Sequence, residues 1–421
     1  MKYILIIGDG MADVPVPELG GKTPLEYAAI PNMDRLASAG NMGSVLTVPE
    51  GMPAGSDTAI LSIFGYDPRV TYSGRAPLEA AASGLSLAPG DVCYRCNMVT
   101  FEDKDCDFED KKLLSHSAGS IEGEESMKLI LELFNSPEFS KAAQLAGMTI
   151  NPTPSFRHLA VQKTADIKGL TLTPPHDHLG EVLGLILPKG GDNAPVLDNL
   201  MRIAHKMMQN HPINEKRRAE GKLPANGIWF WAEGTAAALP DFTAKYGKTG
   251  GVISAVQLCQ GIAVLSGLQK IIVEGATGEL DTNYEGKAEA ALKLLKSHDF
   301  AAIHVEAPDE CTHNGDTKGK IQAIEWIDSR VLPVLMEELD SKGEEYRILI
   351  LSDHRTLTST CGHDGASVPY IIYDSRIDKS GGANKTVTSF CEEQAAKGHY
   401  LDAGSKLMDI LFERSESNDG N

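Results

Sequence analysis

Apolar runs of strand length keep ending in acidic, glycine or histidine residues. Residues 3–7 lead into Gly8-Asp9-Gly10, 228–231 into Glu233-Gly234, and 270–273 into Gly275-Ala276-Thr277-Gly278. Residues 301–305 stop near Glu306 and Asp309, and 347–351 at Ser352-Asp353-His354. Between these runs lie helical patterns over 251–267, 287–297 and 321–339. Strand–helix alternation of this kind predicts an α/β fold, a mostly parallel sheet covered by helices on both faces. Ligands of such sheets bind outside the carboxyl ends of the strands, where the acidic and histidine residues collect.

From about 91 to 223 the pattern changes. This stretch is richer in Pro, His and charge, has fewer clear buried strands, and includes the loop-like Pro174-Pro175-His176-Asp177-His178. It is expected to be an inserted smaller domain, with 1–90 and 224–421 folding together as one discontinuous α/β domain. The Ser-Glu-Ser-Asn-Asp-Gly composition of 415–421 predicts a disordered tail.

Net charge excludes some partners. With 39 basic and 58 acidic residues the chain carries -19, so it repels nucleic-acid backbones and anionic lipid. No run approaches the roughly 18 apolar residues of a membrane helix. The first apolar run is too short for a signal peptide, which predicts a cytoplasmic protein. The 7 cysteines are scattered. Cys93 and Cys96 form a lone CxxC without a second pair, so reduced structural thiols are expected rather than a zinc knuckle.

Four segments carry chemistry. In Gly8-Asp9-Gly10-Met11-Ala12-Asp13 the glycines allow a sharp turn and close ligand approach, and Asp9 offers a hard oxygen; an ordinary strand-to-loop turn reads the same way. Pro53-Ala54-Gly55-Ser56-Asp57-Thr58-Ala59 puts Ser56 at the start of a helix, where the backbone favours phosphate or alkoxide, although a plain capping serine also fits. In the third segment Asp309 and His313 are spaced to share one helix face, a frequent divalent-metal pair, against a solvated acidic loop. Asp353-His354, followed by His363, can reach two metals from one strand end, or be a capping Asp and a buried His. Together, metal-type donors at separate strand ends plus one serine fit phosphoryl transfer, since paired cations activate a hydroxyl that is otherwise a poor nucleophile.

In order and spacing these segments resemble the alkaline-phosphatase superfamily, and within it the archaeal-type cofactor-independent phosphoglycerate mutases, also called homoserine-kinase-like. The resemblance extends over nearly the whole chain, including Gly74-Arg75-Ala76-Pro77-Leu78-Glu79-Ala80, Arg95-Cys96-Asn97, Ser155-Phe156-Arg157-His158-Leu159, Leu223-Pro224-Ala225-Asn226 and Asp281-Thr282-Asn283-Tyr284. It implies an alkaline-phosphatase-like sheet with a smaller inserted α/β domain. It also implies a small phosphorylated metabolite as substrate and a phosphoserine at Ser56 that interconverts 3- and 2-phosphoglycerate. One metal would be held by Asp9, Ser56, Asp353 and His354, the other by Asp309, His313 and His363. Manganese is the usual metal of the family, with zinc, cobalt or magnesium as alternatives. Asp57, Arg95, Asn97, Arg157, His158 and Lys245 would contact substrate, the inserted residues from across a cleft.

The frame around the ligands departs from the family pattern at Arg355-Thr356-Leu357, Cys311-Thr312 and His363-Asp364-Gly365. Arg355 is expected either to contact phosphate or to pair with an acid. The alternative functions are a homoserine-kinase-like or other metal-dependent phosphotransferase or phosphatase using the same serine, and a non-catalytic metal-binding regulator. No GxxxxGK[ST] loop is present.

Overall fold

The computed structural model describes residues 1–379 and 389–414; the expected disordered tail 415–421 lies outside them. The strands, in chain order, are β1 (Lys2–Gly8), β2 (Asn41–Val45), β3 (Val92–Phe101), β4 (Leu113–Ser115), β5 (Met148–Asn151), β6 (Arg157–Gln162) and β7 (Gly227–Thr235). They continue with β8 (Gly250–Ile253), β9 (Gln269–Ile271), β10 (Phe300–Val305), β11 (Tyr346–Leu351), β12 (Arg355–Leu357), β13 (Gly362–Asp364), β14 (Val368–Asp374) and β15 (His399–Leu401).

The chain divides into two compact units, Met1–Tyr72 with Ala238–Asn421, and Ser73–Ala237. The first is built on an eight-stranded sheet of order β15-β2-β14-β11-β1-β10-β8-β9. Its pairs are parallel except where β14 runs against β11 and β2. β1, β10 and β11 are near-continuous apolar runs because both faces are covered. Ile4 and Ile6 pack into a core shared with helices Tyr284–Leu295 and Leu332–Ser341. On the opposite face Tyr3, Phe242 and Phe300 pack around Phe412, with ring centroids 5.0 to 6.0 Å from it.

The second unit is an antiparallel sheet in which β3 lies between β6 and β7, with helices Gly123–Asn135 and Ala194–Met208 on its core. Its limits differ from the expected 91–223. The run 228–231 belongs here as part of β7, which pairs along most of β3, and helix Arg75–Ala82 brings Ala76 and Ala80 against Cys93. β3 itself is ten residues, all buried, in a stretch whose sequence predicted few buried strands. The apolar run 251–267 is also divided. Gly250 and Gly251 start β8, because a Cβ on Gly250 would lie 2.3 Å from the Phe300 carbonyl oxygen, and the helix begins only at Gln257. All 7 cysteines are unpaired. Among the described residues no helix is long and apolar enough to cross a membrane.

Candidate active site

Parallel register brings the strand ends level. Gly8 lies opposite Val305, and Ile7 opposite Leu351, so Asp9, Glu306 and Asp353 leave the sheet side by side. The chain then turns at Gly10 (φ 60°), where a Cβ would come within 2.4 Å of Thr356 Oγ1 and 2.6 Å of Asp309 Oδ1. Only glycine allows that approach. The Gly10 N–H donates to Asp353 Oδ1 at 3.0 Å, fixing that carboxylate.

Ser56 is the first residue of the helix Ser56–Ile63 and does not cap it. Its Oγ is 3.2 Å from Asp9 Oδ2 and 3.1 Å from His354 Nε2. The hydroxyl is thus turned toward the strand ends, while the helix N-terminus beside it favours anionic oxygen.

Asp309 and His313 lie on the helix Ala307–His313, whose spacing brings His313 Nε2 to 3.1 Å from Asp309 Oδ2. The β12–β13 hairpin supplies His363, with Nε2 3.5 Å from Asp309 Oδ1. His313 Nδ1 meets the Cys361 carbonyl at 2.8 Å and His363 Nδ1 the Ala54 carbonyl at 3.3 Å. A carbonyl only accepts, so both Nδ1 atoms are donors. The two Nε2 atoms, 2.9 Å apart, are both turned to the Asp309 carboxylate. Two imidazole nitrogens and a carboxylate gathered this closely make a donor set for one cation.

The carboxylates repeat this demand. Asp9 Oδ1 and Asp353 Oδ2 are buried without a hydrogen-bond donor, a costly state for charged oxygens. Burial, then Asp353 and Asp309, push the Asp9 carboxyl well above its usual pKa. Burial also opposes ionisation of Asp309, but hydrogen bonds from His313 and His363 hold it below the usual carboxylate range. The Asp309 hydrogen bond in turn pushes His313 up to about 9. Two donor sets have ligand atoms within 4.8 Å of one another: Asp309, His313 and His363, and Asp9, Asp309 and His354. Asp309 therefore borders both seats, while Asp353 Oδ2 lies 3.2 Å from His354 Nε2. Carboxylate and imidazole donors in this arrangement suit divalent cations.

Each residue expected to contact substrate has partners of its own within the protein. Lys245 Nζ donates to the Gly65 carbonyl and lies 5.1 Å from the centre of the Tyr66 ring. It sits past the carboxyl end of the Ser56–Ile63 helix, about 13 Å along that helix from Ser56. A lysine suits the negative end of a helix dipole, and no contact ties it to Ser56. Asp57 accepts hydrogen bonds from Tyr72 Oη and the Thr58 N–H. Arg355 donates to the Ser367 carbonyl at 3.0 and 2.8 Å and braces its own loop.

In the inserted unit His158 is fully buried. Its Nδ1 accepts from the Thr153 N–H at 3.0 Å, its Nε2 lies 3.3 Å from Ser126 Oγ, and burial lowers its pKa to about 4. Asn97 is equally enclosed, donating to the His116 carbonyl and accepting from Trp231 Nε1. These two side chains are committed to the interior, which corrects their expected place on a substrate surface. Arg95 is buried against Glu79 and stacks on Trp231 at 4.7 Å. Burial, then Arg95, lower the Arg157 pKa to about 10. The 174–178 stretch contains a short 3-10 turn, Pro175–His178, that sets His176 5.1 Å from Trp231.

Sequence reasoning missed three supports of the site. His304 in β10 lies 2.8 Å from Asp9 Oδ2. Thr356 donates to Asp309 Oδ1 at 2.6 Å and touches His354 Nδ1 at 3.2 Å, bridging the two donor sets. Lys320, fully buried, pairs with Asp13 at 2.9 Å and donates to the Thr356 carbonyl at 2.6 Å. A histidine interrupting an apolar strand was the available signal for His304.

The profile of the family described as 2,3-bisphosphoglycerate-independent phosphoglycerate mutase matches residues 37–214, and that of the Metalloenzyme superfamily matches 188–412. A Methanosarcina barkeri protein named 2,3-bisphosphoglycerate-independent phosphoglycerate mutase is 43% identical over 412 residues, covering 98% of this chain and 99% of the relative. The chain belongs to the 2,3-bisphosphoglycerate-independent phosphoglycerate mutase family. Solved structures agree with this membership. A Pyrococcus horikoshii protein is similar with TM-score 0.79 and 32% identity, covering 100% of this chain and 99% of that one. The cofactor-independent phosphoglycerate mutase of Thermoplasma acidophilum is similar with TM-score 0.61 and 26% identity over 98% of this chain and 99% of that one. Membership in a metalloenzyme superfamily accords with the two cation-demanding donor sets in the first unit.

Proposed function

We propose that this chain interconverts 3-phosphoglycerate and 2-phosphoglycerate through a phosphoserine at Ser56, with two divalent cations held by Asp9, Ser56, Asp353 and His354 and by Asp309, His313 and His363. The observation that carries the reading is Ser56 Oγ, at a helix N-terminus, within 3.2 Å of both Asp9 and His354. Manganese is the metal assigned, as the usual metal of the family, and the mixed oxygen and imidazole donors suit a divalent cation of this kind. When bound, the cations would lower the hydroxyl pKa of Ser56 and balance charge on the phosphoryl oxygens.

The residues divide the remaining work. Ser56 Oγ attacks phosphorus; the Oγ–P bond forms as the bond from phosphorus to the substrate's O3 breaks. The Ser56 hydroxyl is directed at Asp9 Oδ2, and its proton ends on the departing O3; on the return step the O2 proton goes back to Ser56 Oγ. N–H groups at the start of the Ser56–Ile63 helix face phosphoryl oxygen. The phosphoryl group then passes from Oγ to O2 of the glycerate, and the serine is regenerated. An anionic substrate needs cationic clamps. Arg95 and Arg157 both lie beside Glu79, and they are the clamps assigned. Unpaired cysteines throughout fit a reducing compartment, the cytoplasm.

Manganese-loaded protein given phosphate-labelled 3-phosphoglycerate is expected to form 2-phosphoglycerate and, on acid quench, to carry label on Ser56. Ser56→Ala should lose both label and at least about 10³-fold in rate while still binding manganese. Full turnover by Ser56→Ala overturns the nucleophile; activity only with ATP and homoserine overturns the substrate.

A further inference from the structure

His304 belongs to neither donor set, yet its surroundings are fully specified. It is 1% exposed, in β10 beside Ile7 of β1. Its Nε2 is 2.8 Å from Asp9 Oδ2 and its Nδ1 is 3.1 Å from Ser254 Oγ. Ser254, also buried, follows β8, the strand next to β10.

Donor bookkeeping fixes the tautomer. As the cation ligand it is assigned to be, Asp9 is a carboxylate whose oxygens only accept, so Nε2 carries the hydrogen of the 2.8 Å contact. A neutral ring then has a bare Nδ1, which needs a donor. Ser254 supplies it: its oxygen accepts from the Val256 N–H at 3.0 Å, leaving the hydroxyl hydrogen for His304. The chain of donors runs from the Val256 N–H through Ser254 and His304 to Asp9. It ends on Oδ2, the oxygen that Ser56 also approaches, whereas Oδ1 is buried and receives no donor.

We infer that His304 is a positioning residue that selects which oxygen of Asp9 meets the cation. By holding Oδ2, it turns Oδ1 into the seat and keeps Oδ2 beside the Ser56 hydroxyl. Ser254 sets the tautomer that makes this possible. The inference rests on the two-cation reading above. It extends that reading to a residue outside the donor sets, in the way orienting partners of metal ligands act.

The test is manganese titration by calorimetry on the full chain, with nitrogen-15 NMR of histidine-labelled protein loaded with diamagnetic magnesium. Wild type is expected to bind two manganese ions and to show the His304 ring, assigned by the signals lost in His304→Leu, fixed as the Nε2–H tautomer. His304→Leu should weaken one ion by about 10- to 100-fold and leave the other unchanged. His304→Gln, which keeps a donor on a side chain of similar reach, should recover most of the loss. Ser254→Ala should mix the His304 tautomers and weaken the same ion by a smaller factor. Folded His304→Leu with wild-type affinity for both ions overturns the inference, as does equal impairment in His304→Leu and His304→Gln. Should His304→Leu not fold, Ser254→Ala decides: mixed tautomers with unchanged affinity overturn it. Wild type that binds no manganese overturns the two-cation reading itself, a result separate from any of these.

Discussion

Protonation separates His158 from His313 and His363, whose pKa values are both raised. It is buried at 0% exposure with no carboxylate beside it, and burial takes its pKa from 6.5 down to about 4. The unfolded chain therefore takes up this proton first as pH falls. Above pH 6.5 the group contributes nothing to pH dependence; between 6.5 and 4 it progressively destabilises the fold, on the order of 3 kcal/mol at the lower limit. Urea midpoints of wild type should fall more steeply across that window than those of His158→Gln. Parallel slopes would show that the ring is solvated. Residues of this kind mark how far single positions can be read. Asp9, Ser56, Asp309, His313, Asp353, His354 and His363 were legible because each belongs to a short motif following an apolar run or opening a helix, and the fold gathers all of them. His158 and Asn97 sit in equally recognisable motifs, but their polarity serves interior hydrogen bonds. Motif membership alone does not distinguish the two uses. His304 escaped because it is a lone polar residue in an apolar strand, and Thr356 because it is one hydroxyl among the mostly polar residues 352–360.

Among the elements, the helix Thr317–Trp326 ties down the loops around the site. Its Lys320 is fully buried against Asp13, which also accepts the Thr358 N–H at 3.1 Å. Removing one partner of such a pair strands a buried charge, and this outweighs the modest net value of the pair itself. Lys320→Met is expected to lose about 3–5 kcal/mol in urea unfolding; unchanged stability would show Asp13 to be hydrated. The π-helical turn Ile327–Val331 continues this helix, and Asp328 within it accepts from the Met33 N–H at 2.7 Å, stitching the neighbouring helix Pro31–Ala39. Strand–helix alternation was legible here because β1, β10 and β11 are buried on both faces and read as unbroken apolar runs. The start of β8 was not. Its glycines are chosen for close contact with Phe300 and Gln269, and short apolar runs suit either helix or strand.

For the molecule as a whole, the insertion governs what can be separated. The inserted unit has its own core, from Val92 and Phe101 through Leu197 to Trp229, and its ends meet: Ser73 Oγ donates to the Thr235 carbonyl at 2.8 Å. Residues 73–237 expressed alone should therefore fold, with a single cooperative unfolding transition by circular dichroism and protected β3 amides in hydrogen exchange. A non-cooperative, unprotected fragment would show that the unit needs the rest of the chain. Sequence composition located the insertion but missed its edges, because helix Arg75–Ala82 and β7 resemble the regular elements of the outer segments. A guest that comes and goes through one doorway leaves its host almost seamless. Joining Tyr72 to Ala238 would make the outer segments one continuous chain, and any foreign cargo whose two tails lie as near each other as Ser73 and Thr235 could be hung in the same frame.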